Sequence, residues 1–430
     1  MNSLKNTDVI YQVFTRDFSS EGTLNEVTNK LEYIKSLGVT MIQLLPVNPI
    51  GEVDRLGTYG SPYSISHYMK INPDLGTVED FKNLCTKAHE IGLKVILDVV
   101  FNHTSKDSIL LTQHPDFYLR DENGNVKAKF PEWSDIIDLN HDNPNVEKYL
   151  TSVLKFYAEL GVDGYRFDVA SIIRKEFFTH SKEEVRKLNK DIIYIAEAVD
   201  SAFINLMRMQ GYKAYSNEEL FEAGIDACYH YASWEPLNKF LHTKDEKYLE
   251  QYKGALLVET NSINSGGMIL RAIENHDQDR IASYSHAESF IRSVLVLTFF
   301  TKGAAFVYNG EECKDNIKPN LFEKETINLN INDYAYFDFF KKNTLLKNRD
   351  INNHLRTSNV LNSSSKSLVI DNSYDNNYHE VAVLNFAENF NDIHCEKLYD
   401  GHYRDILTDN HFEVKNHTIN IDNPVILVKE

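Results

Sequence analysis

Residues 150–168 read LTSVLKFYAELGVDGYRFD, and this stretch predicts the fold of most of the chain. Its first half carries apolar side chains at helical spacing, from Leu150 to Tyr157. Gly161 then permits the left-handed conformation in which many helices end. The apolar run that follows ends at Asp168. We therefore expect a unit made of an amphipathic helix, a glycine stop and a short buried strand.

The same unit occurs twice upstream, where Gly38 and Gly92 each separate helical spacing from an apolar run. These runs are continuous instead of alternating, which is typical of parallel strands covered by helices. Eight such strands over about 340 residues favour a (β/α)8 TIM barrel, an α/β fold. A doubly wound open sheet is the alternative, but it predicts a glycine-rich phosphate loop that the sequence lacks. The eight predicted strands are 9–14, 39–45, 93–97, 162–167, 192–196, 227–231, 269–273 and 304–308.

Two segments depart from the repeating unit. Residues 104–145 are rich in Asp, Asn, His and Pro, and predict a small domain inserted after the third strand. From residue 351 helical spacing fades, and short β-like runs separated by Asn and Asp predict an antiparallel β domain, a β-sandwich, over 351–430. The barrel would then comprise residues 1–103 and 146–350.

The bulk composition limits the partners of the protein. The 430 residues carry a formal net charge of −18, which argues against nucleic acid and anionic membrane surfaces. The N-terminal residues lack the pattern of an export signal, and no apolar run is long enough to span a bilayer. The four cysteines are scattered, which favours buried apolar side chains over a metal or redox motif. We therefore expect a cytoplasmic protein.

Acidic residues stand where predicted strands end. Asp168 closes the fourth strand, Glu197 the fifth, and Asp277 follows the seventh. Adjacent strands lie about 4.8 Å apart, so two carboxyl groups at neighbouring strand ends come close together. Retaining glycosidases need such a pair about 5–5.5 Å apart, one as nucleophile and one as acid/base. A single acidic residue at a strand end is more often a helix cap or an ion-pair partner, but the joint occurrence of these residues favours catalysis.

The neighbours of these carboxyl groups suggest their roles. Arg166 lies two residues before Asp168 on the same strand face, which favours an ionised nucleophile. Glu197 lies in an apolar run with anionic neighbours, which favours a protonated acid. Asp277 would then stabilise the charge that develops on the sugar ring.

These strand ends also form longer motifs, which resemble the signature regions of the α-amylase family of glycoside hydrolases. The pattern D-x-x-x-N-H matches Asp98 to His103, and G-x-R-x-D matches Gly164 to Asp168. Glu197 closes the fifth strand as in that family, and N-H-D ends at Asp277. The resemblance covers nearly the whole chain.

The resemblance implies the same three roles for Asp168, Glu197 and Asp277. It further implies that a stacking platform and several polar side chains contact the sugar, and that 104–145 and 351–430 are the B and C domains of the family. The substrate-binding residues expected on this basis are Tyr63, Asp98, His103, Arg166 and His276. Trp133, in the inserted segment, is an additional candidate because aromatic rings pack on the apolar faces of sugars.

Two departures from the family affect specificity and metal binding. Ser171 and Ile172 stand where many members carry Lys-His shortly after the nucleophile, so the leaving-group side of the site is altered. A structural calcium is possible by resemblance, since Asn102 and Asp138 match two ligand positions, but two side-chain oxygens fall short of the six to eight ligands of calcium. We therefore expect no required metal or other cofactor.

The sequence leads to a retaining hydrolase that cleaves α-1,4-glucosidic bonds in maltodextrins through a covalent glycosyl-aspartate. Two alternatives keep the chemistry: a 4-α-glucanotransferase, in which a sugar replaces water, and an exo-acting α-glucosidase. A third alternative is a non-catalytic glucan-binding protein, which fold alone cannot exclude. The substrate in each case is an α-glucan oligosaccharide or polysaccharide.

Overall fold

Eight parallel strands close into a barrel in the computed structural model, which describes residues 4–130, 132–262, 266–284, 287–387, 389 and 391–430. Its strands are β1 Val9–Val13, β2 Met41–Leu44, β3 Lys94–Val99, β6 Gly164–Phe167, β7 Ile193–Ala196, β8 Ala227–Tyr229, β9 Met268–Ala272 and β10 Ala304–Tyr308. The barrel order is β1-β10-β9-β8-β7-β6-β3-β2, and neighbouring strands pair in parallel throughout. The predicted (β/α)8 barrel is thereby confirmed.

Side chains fill both faces of the barrel strands. Inward-facing residues such as Ile10, Ile96 and Phe306 form a separate cluster inside the barrel. Their neighbours on the same strands, such as Tyr11 and Val95, face outward into the core shared with the helices. This burial on both faces explains why the strands read as continuous apolar runs.

Twelve α-helices lie within the described residues, and most cover the barrel. They are α1 Leu24–Asn29, α2 Leu31–Ser36, α3 Val78–Glu90, α4 Ile109–Gln113, α5 Pro144–Glu159, α6 Lys175–Val185, α7 Ser201–Met209, α8 Asn217–Glu222, α9 Tyr231–Thr243, α10 Glu246–Ser262, α11 Glu288–Phe300 and α12 Tyr334–Lys347.

Two local predictions are wrong. The single helix expected before Gly38 is interrupted at Lys30, which adopts φ −103° and ψ 0° between α1 and α2. The sixth strand ends at Tyr229 instead of Tyr231, because the backbone turns at His230 and Tyr231 begins helix α9. A run of aromatic residues across this boundary hid the turn.

The inserted segment pairs its own strands and rests on the barrel. Strands β4 His103–Ser105 and β5 Ile136–Asp138 form a two-stranded antiparallel sheet. Helix α4 and a short 3-10 turn lie between them. Residue Ser64, from the loop after β2, donates to the carbonyl of Asp135 and connects this segment to the barrel rim.

The C-terminal part is antiparallel, as predicted. Six strands follow the order β11-β12-β13-β18-β15-β16, and β14 pairs with β17 in a second sheet. One face of the larger sheet joins the main core and the other packs on the smaller sheet. The strands are β11 Leu355–Leu361, β12 Ser367–Tyr374, β13 His379–Asn385, β14 Asn391–His394, β15 Gly401–Asp405, β16 His411–Val414, β17 Thr418–Ile421 and β18 Val425–Lys429.

The remaining predictions from composition concern cysteines and membranes. All four cysteines are free and buried, as expected for apolar packing. Within the described ranges, no helix combines the length and apolar character needed to cross a bilayer. The expected cytoplasmic location stays a prediction.

Candidate active site

A cavity of about 350 Å³ opens at the carboxyl ends of the barrel strands. Its lining residues come from the loops after five barrel strands and from the inserted segment. Seven of the nine predicted site residues line it: Tyr63, His103, Trp133, Asp168, Glu197, His276 and Asp277. The other lining residues are Leu56, Ser61, Glu132, Asp135, Ile136, Val169 and Phe322.

Arg166 connects the acidic residues beneath the cavity. Its Nη1 atom lies 3.0 Å from Asp168 Oδ1 and 2.9 Å from Asp98 Oδ1. Its Nη2 atom lies 3.0 Å from Glu197 Oε1. One guanidinium is therefore shared by three carboxyl groups, of which the sequence analysis paired only Asp168 with Arg166. Glu197 accordingly has a cationic partner that the apolar sequence around it did not suggest.

Burial and Glu197 dominate the pKa of Asp168. Burial, followed by the neighbouring Glu197 carboxylate, raises the pKa of Asp168 well above its ordinary range, although Arg166 opposes this. Arg166 favours the ionised form of Asp168, as expected, but burial and Glu197 outweigh it. The predicted nucleophile and the predicted acid/base thus share one cationic partner, Arg166.

The register of the strands brings these two residues together. Phe167 of β6 lies beside Ala196 of β7, so Asp168 and Glu197 follow at neighbouring positions of adjacent strands. Both point into the cavity, with 10% and 13% of their side chains exposed. The spatial convergence expected from the sequence is present.

Asp98 lies under the cavity instead of on its surface. It is fully buried, and burial raises its pKa to about 6, although Arg166 and His276 oppose this shift. Its Oδ2 atom accepts a hydrogen bond of 3.0 Å from the Tyr63 hydroxyl. Asp98 therefore orients Arg166 and Tyr63, and its contact with substrate stays a prediction. Arg166 is likewise 1% exposed and supports the cavity from below.

Gln12, which the sequence analysis missed, determines the tautomer of His276. Its Oε1 atom accepts from the His276 backbone N–H at 3.2 Å, so its Nε2 group must donate to His276 Nδ1 at 3.1 Å. The hydrogen of His276 then resides on Nε2, which lies 2.7 Å from the Tyr63 hydroxyl and 3.1 Å from Asp277 Oδ2. A glutamine inside an apolar strand was the available sequence signal.

Tyr63 and His276 form one wall of the cavity. Their rings stack at a centroid distance of 5.2 Å. Asp277 lies beside them with 42% of its side chain exposed, the most accessible of the three acids. Burial raises its pKa, but His276, Arg166 and Lys318 outweigh this and lower it to about 2. Asp277 is therefore an anion at neutral pH.

Val169 holds Glu197 from the backbone. Its N–H donates to Glu197 Oε2 at 2.8 Å, and the residue is left-handed, with φ 44° and ψ 42°. A β-branched residue is rare in this region. The Tyr231 hydroxyl approaches the other oxygen of Glu197 at 3.4 Å. Neither residue carried a sequence signal for these contacts.

Another part of the cavity lining is aromatic and apolar. Trp133 lies 5.8 Å from His103, centroid to centroid, and burial lowers the pKa of His103 to about 4. Ile172 is buried in an apolar cluster with Val169 and Met207, against which Trp133 packs. Ile172, which stands where many family members carry a histidine, thus packs among apolar side chains. Ser171 accepts from the Val199 N–H at 3.1 Å and serves the local backbone.

The two residues matched to calcium ligands bond to each other. Asn102 Nδ2 donates to Asp138 Oδ1 at 2.6 Å, and Lys129 contacts both side chains. Among the residues that the structure describes, no three His, Cys, Asp or Glu side chains converge as a metal site would require. The prediction that no metal is required stays a prediction.

Comparison with known proteins agrees with this geometry. The family model described as the catalytic domain of alpha amylase matches residues 3–402. Alpha-amylase 3 of Dictyoglomus thermophilum is 30% identical over 358 residues, which cover 74% of this chain and 66% of that protein. The trehalose-6-phosphate hydrolase of Bacillus subtilis is 28% identical over 71% of this chain and 64% of its own length. The chain thus spans slightly under two thirds of these curated relatives.

Solved structures match over their full length. The crystal structure of an alpha-amylase from Lactobacillus plantarum superimposes with a TM-score of 0.92 at 31% identity, covering 100% of both chains. A noncanonic maltogenic alpha-amylase from Thermotoga neapolitana shares the fold, with a TM-score of 0.86 at 24% identity over 99% of both chains. With the family model matching most of its length, the chain belongs to the alpha-amylase family.

Proposed function

We propose that the protein is a retaining glycoside hydrolase that cleaves α-1,4-glucosidic bonds in maltodextrins. The observation that carries this proposal is the sharing of Arg166 by Asp168 and Glu197, at 3.0 Å each, on the floor of the cavity. The relatives named above include an alpha-amylase and a trehalose-6-phosphate hydrolase, which supports hydrolysis of α-glucosides.

Each acid has a role in the proposed reaction. Glu197 protonates the glycosidic oxygen while Asp168 attacks the anomeric carbon, which breaks the bond to the leaving sugar and forms a glycosyl-aspartate. Glu197 then removes a proton from water, which attacks the same carbon, releases Asp168 and regenerates the starting state. The anion of Asp277 stabilises the positive charge of the oxocarbenium-like transition state.

The remaining cavity residues bind the sugar in this proposal. The Tyr63 ring offers an apolar face, and the Nε2–H of His276 holds the Tyr63 hydroxyl in place, at 2.7 Å. His103, neutral at pH 7, and Trp133 line the cavity as well. Ser171 stands at the position of the lysine that many family members carry, so the leaving-group side lacks that cation.

Replacing Asp168 by asparagine tests the catalytic role. We expect D168N to lose turnover of maltoheptaose by on the order of 10⁴-fold or more, with an unchanged melting temperature. Asp163 provides the matched control, because it lies at the opposite end of the same strand. Its carboxylate lies 2.8 Å from His89 Nε2 and accepts a hydrogen bond from the Val95 N–H. D163N should retain turnover. A D168N variant as active as the wild type would refute the assignment of Asp168 as the nucleophile. It would favour a role of Asp168 outside catalysis.

The products of the wild-type reaction distinguish the alternatives. The products formed from maltoheptaose are resolved by chain length. An early mixture of oligosaccharides would indicate internal cleavage. Glucose alone would indicate an exo-acting α-glucosidase, and products longer than seven units would indicate a 4-α-glucanotransferase. Proton NMR of the first products should show the α-anomer, since two displacements retain configuration. Early β-anomer would contradict the retaining mechanism.

A further inference from the structure

Lys129 lies buried where the inserted segment meets the barrel. Only 7% of its side chain is exposed. Its ammonium donates to Asn102 Oδ1 at 2.6 Å and lies 3.1 Å from Asp138 Oδ1. Asn102 follows barrel strand β3, whereas Asp138 ends strand β5 of the inserted segment. The lysine therefore joins the two parts of the fold at one point.

The ammonium determines how Asn102 is oriented. Because Nζ is only a donor, Asn102 must present Oδ1 to it and turn Nδ2 toward Asp138 Oδ1, at 2.6 Å. The same Nδ2 lies 3.1 Å from Nδ1 of His103, which must then be the acceptor. The hydrogen of His103 is left on Nε2, on the other side of the ring. Lys129 thus acts, through Asn102, on a residue that lines the cavity.

The negative charge of Asp138 is fully compensated by this arrangement. Asp138 is 0% exposed, and a buried carboxylate needs a counter-charge and hydrogen bonds. It accepts from the Lys129 backbone N–H at 2.5 Å and from Asn102 Nδ2, and it pairs with the Lys129 ammonium. Burial lowers the pKa of Lys129, and Asp138 opposes this shift.

The residues present do not fit a calcium ion. Calcium takes six to eight oxygen ligands at about 2.3–2.6 Å. Here Asn102 turns an NH2 group toward Asp138, and the Lys129 ammonium contacts both side chains. A divalent cation among these groups would meet positive charge and N–H donors.

We propose that the ammonium of Lys129 is the resident cation of this junction, so that the inserted segment is held on the barrel without a divalent ion. The positive charge that compensates Asp138 is then part of the polypeptide. The proposal is independent of the reaction catalysed at the cavity, and its tests measure stability and metal content.

The wild-type protein provides the first test. After dialysis against EDTA, we expect no bound calcium by atomic emission and an unchanged melting temperature. Adding millimolar calcium should leave the melting temperature unchanged as well. A melting temperature that falls in EDTA and recovers with calcium, but not with magnesium, would overturn the proposal.

A charge-removing variant provides the second test. K129M keeps an apolar stem of similar length but leaves Asp138 without its cation, so its melting temperature should fall by roughly 5–10 °C. K127M is the matched control, because Lys127 lies two residues away, is half-buried and has its ammonium 6.0 Å from the Tyr212 ring. It should melt within about 2 °C of the wild type.

The double variant K129M/D138N separates charge from packing. It removes both charges, so it should recover most of the stability lost in K129M. A double variant as unstable as K129M would show that the lysine stem acts by packing alone, and would overturn the proposal. A melting temperature of K129M equal to that of K127M would also overturn the proposal. If K129M fails to fold, the double variant and the wild-type chelation experiment still decide.

Discussion

At the scale of single residues, Gln12 affects the site through a chain of hydrogen bonds that begins at His276. It is fully buried inside the barrel, yet both ends of its amide contact His276. This fixes a hydrogen on His276 Nε2, where Tyr63 and Asp277 are within hydrogen-bonding distance. The hydrogen bonds continue from Tyr63 to Asp98 and Arg166.

Replacing Gln12 by leucine should therefore impair catalysis more than stability. The loss of a hydrogen bond to a group in contact with a charge is worth about 1.5–3 kcal/mol, so kcat/KM on maltodextrin should fall roughly 10–100-fold. Q43L is the control, since Gln43 is also a buried barrel glutamine but contacts Tyr229, at 3.4 Å. Equal kcat/KM values for Q12L and Q43L would contradict a specific role for Gln12.

The acidic residues of the site could be predicted because strand position and motif both marked them. Gln12, Val169 and Lys129 could not, because their functions depend on partners far away in the sequence. Gln12 meets His276 264 positions later, and Val169 meets Glu197 28 positions later. Arg166 was identified but assigned too few partners, since its contact with Glu197 crosses from one strand to the next.

At the scale of elements, the loop between β9 and α11 is held by Arg280, which is buried between Glu274 and Asp315. Arg280 Nη1 lies 2.9 Å from Glu274 Oε2, and the exposed fractions of the two side chains are 0% and 1%. The other Glu274 oxygen accepts from the Ile281 N–H at 2.7 Å. This loop carries His276 and Asp277, so the pair supports two cavity residues.

Removing the arginine should be costly, because Glu274 would remain buried without its cation. We expect R280M to lower the free energy of unfolding by about 3–5 kcal/mol, measured by urea denaturation. The comparison is R292M, which breaks the more exposed Arg292–Glu288 pair of helix α11, 3.0 Å apart, and should cost at most about 1 kcal/mol. Similar losses for both variants would contradict the importance of burial.

Most elements could be predicted because glycine stops and continuous apolar runs delimit them. The strand at 304–308 agrees with β10 at both ends. The exceptions have physical causes. Lys30 interrupts a helix whose apolar spacing continues across the break, and the aromatic run before Tyr231 conceals a change from strand to helix. Spacing alone carries no information on such turns.

At the scale of the whole molecule, the C-terminal sheet shares a core with the barrel. Phe386 packs edge-on against Phe240 of α9 and Phe290 of α11, at centroid distances of 5.3 Å and 5.2 Å. Ser293 of α11 donates to the Asn385 carbonyl at 2.8 Å and accepts from its N–H at 3.1 Å. A β domain was predictable from short β-like runs separated by Asn and Asp, but this docking was not.

Truncating Phe386 should therefore destabilise the barrel as well as the sheet. F386A should cost about 3–5 kcal/mol and lower the melting temperature of the whole chain in a single transition. Y399A is the control, since the Tyr399 side chain is 63% exposed and should contribute little. Two separate transitions in F386A, with the barrel melting as in the wild type, would contradict the shared core.

The left-handed backbone at Val169 has a consequence for redesign of the cavity. A side chain branched at Cβ tolerates φ 44° poorly, whereas glycine adopts it without steric cost. Changing this valine to glycine would therefore enlarge the cavity beside Asp168 while relieving torsional strain. Residue 169 is therefore a suitable starting position for mutant libraries aimed at bulkier acceptor sugars. Here a smaller side chain widens the cavity and also suits the left-handed backbone.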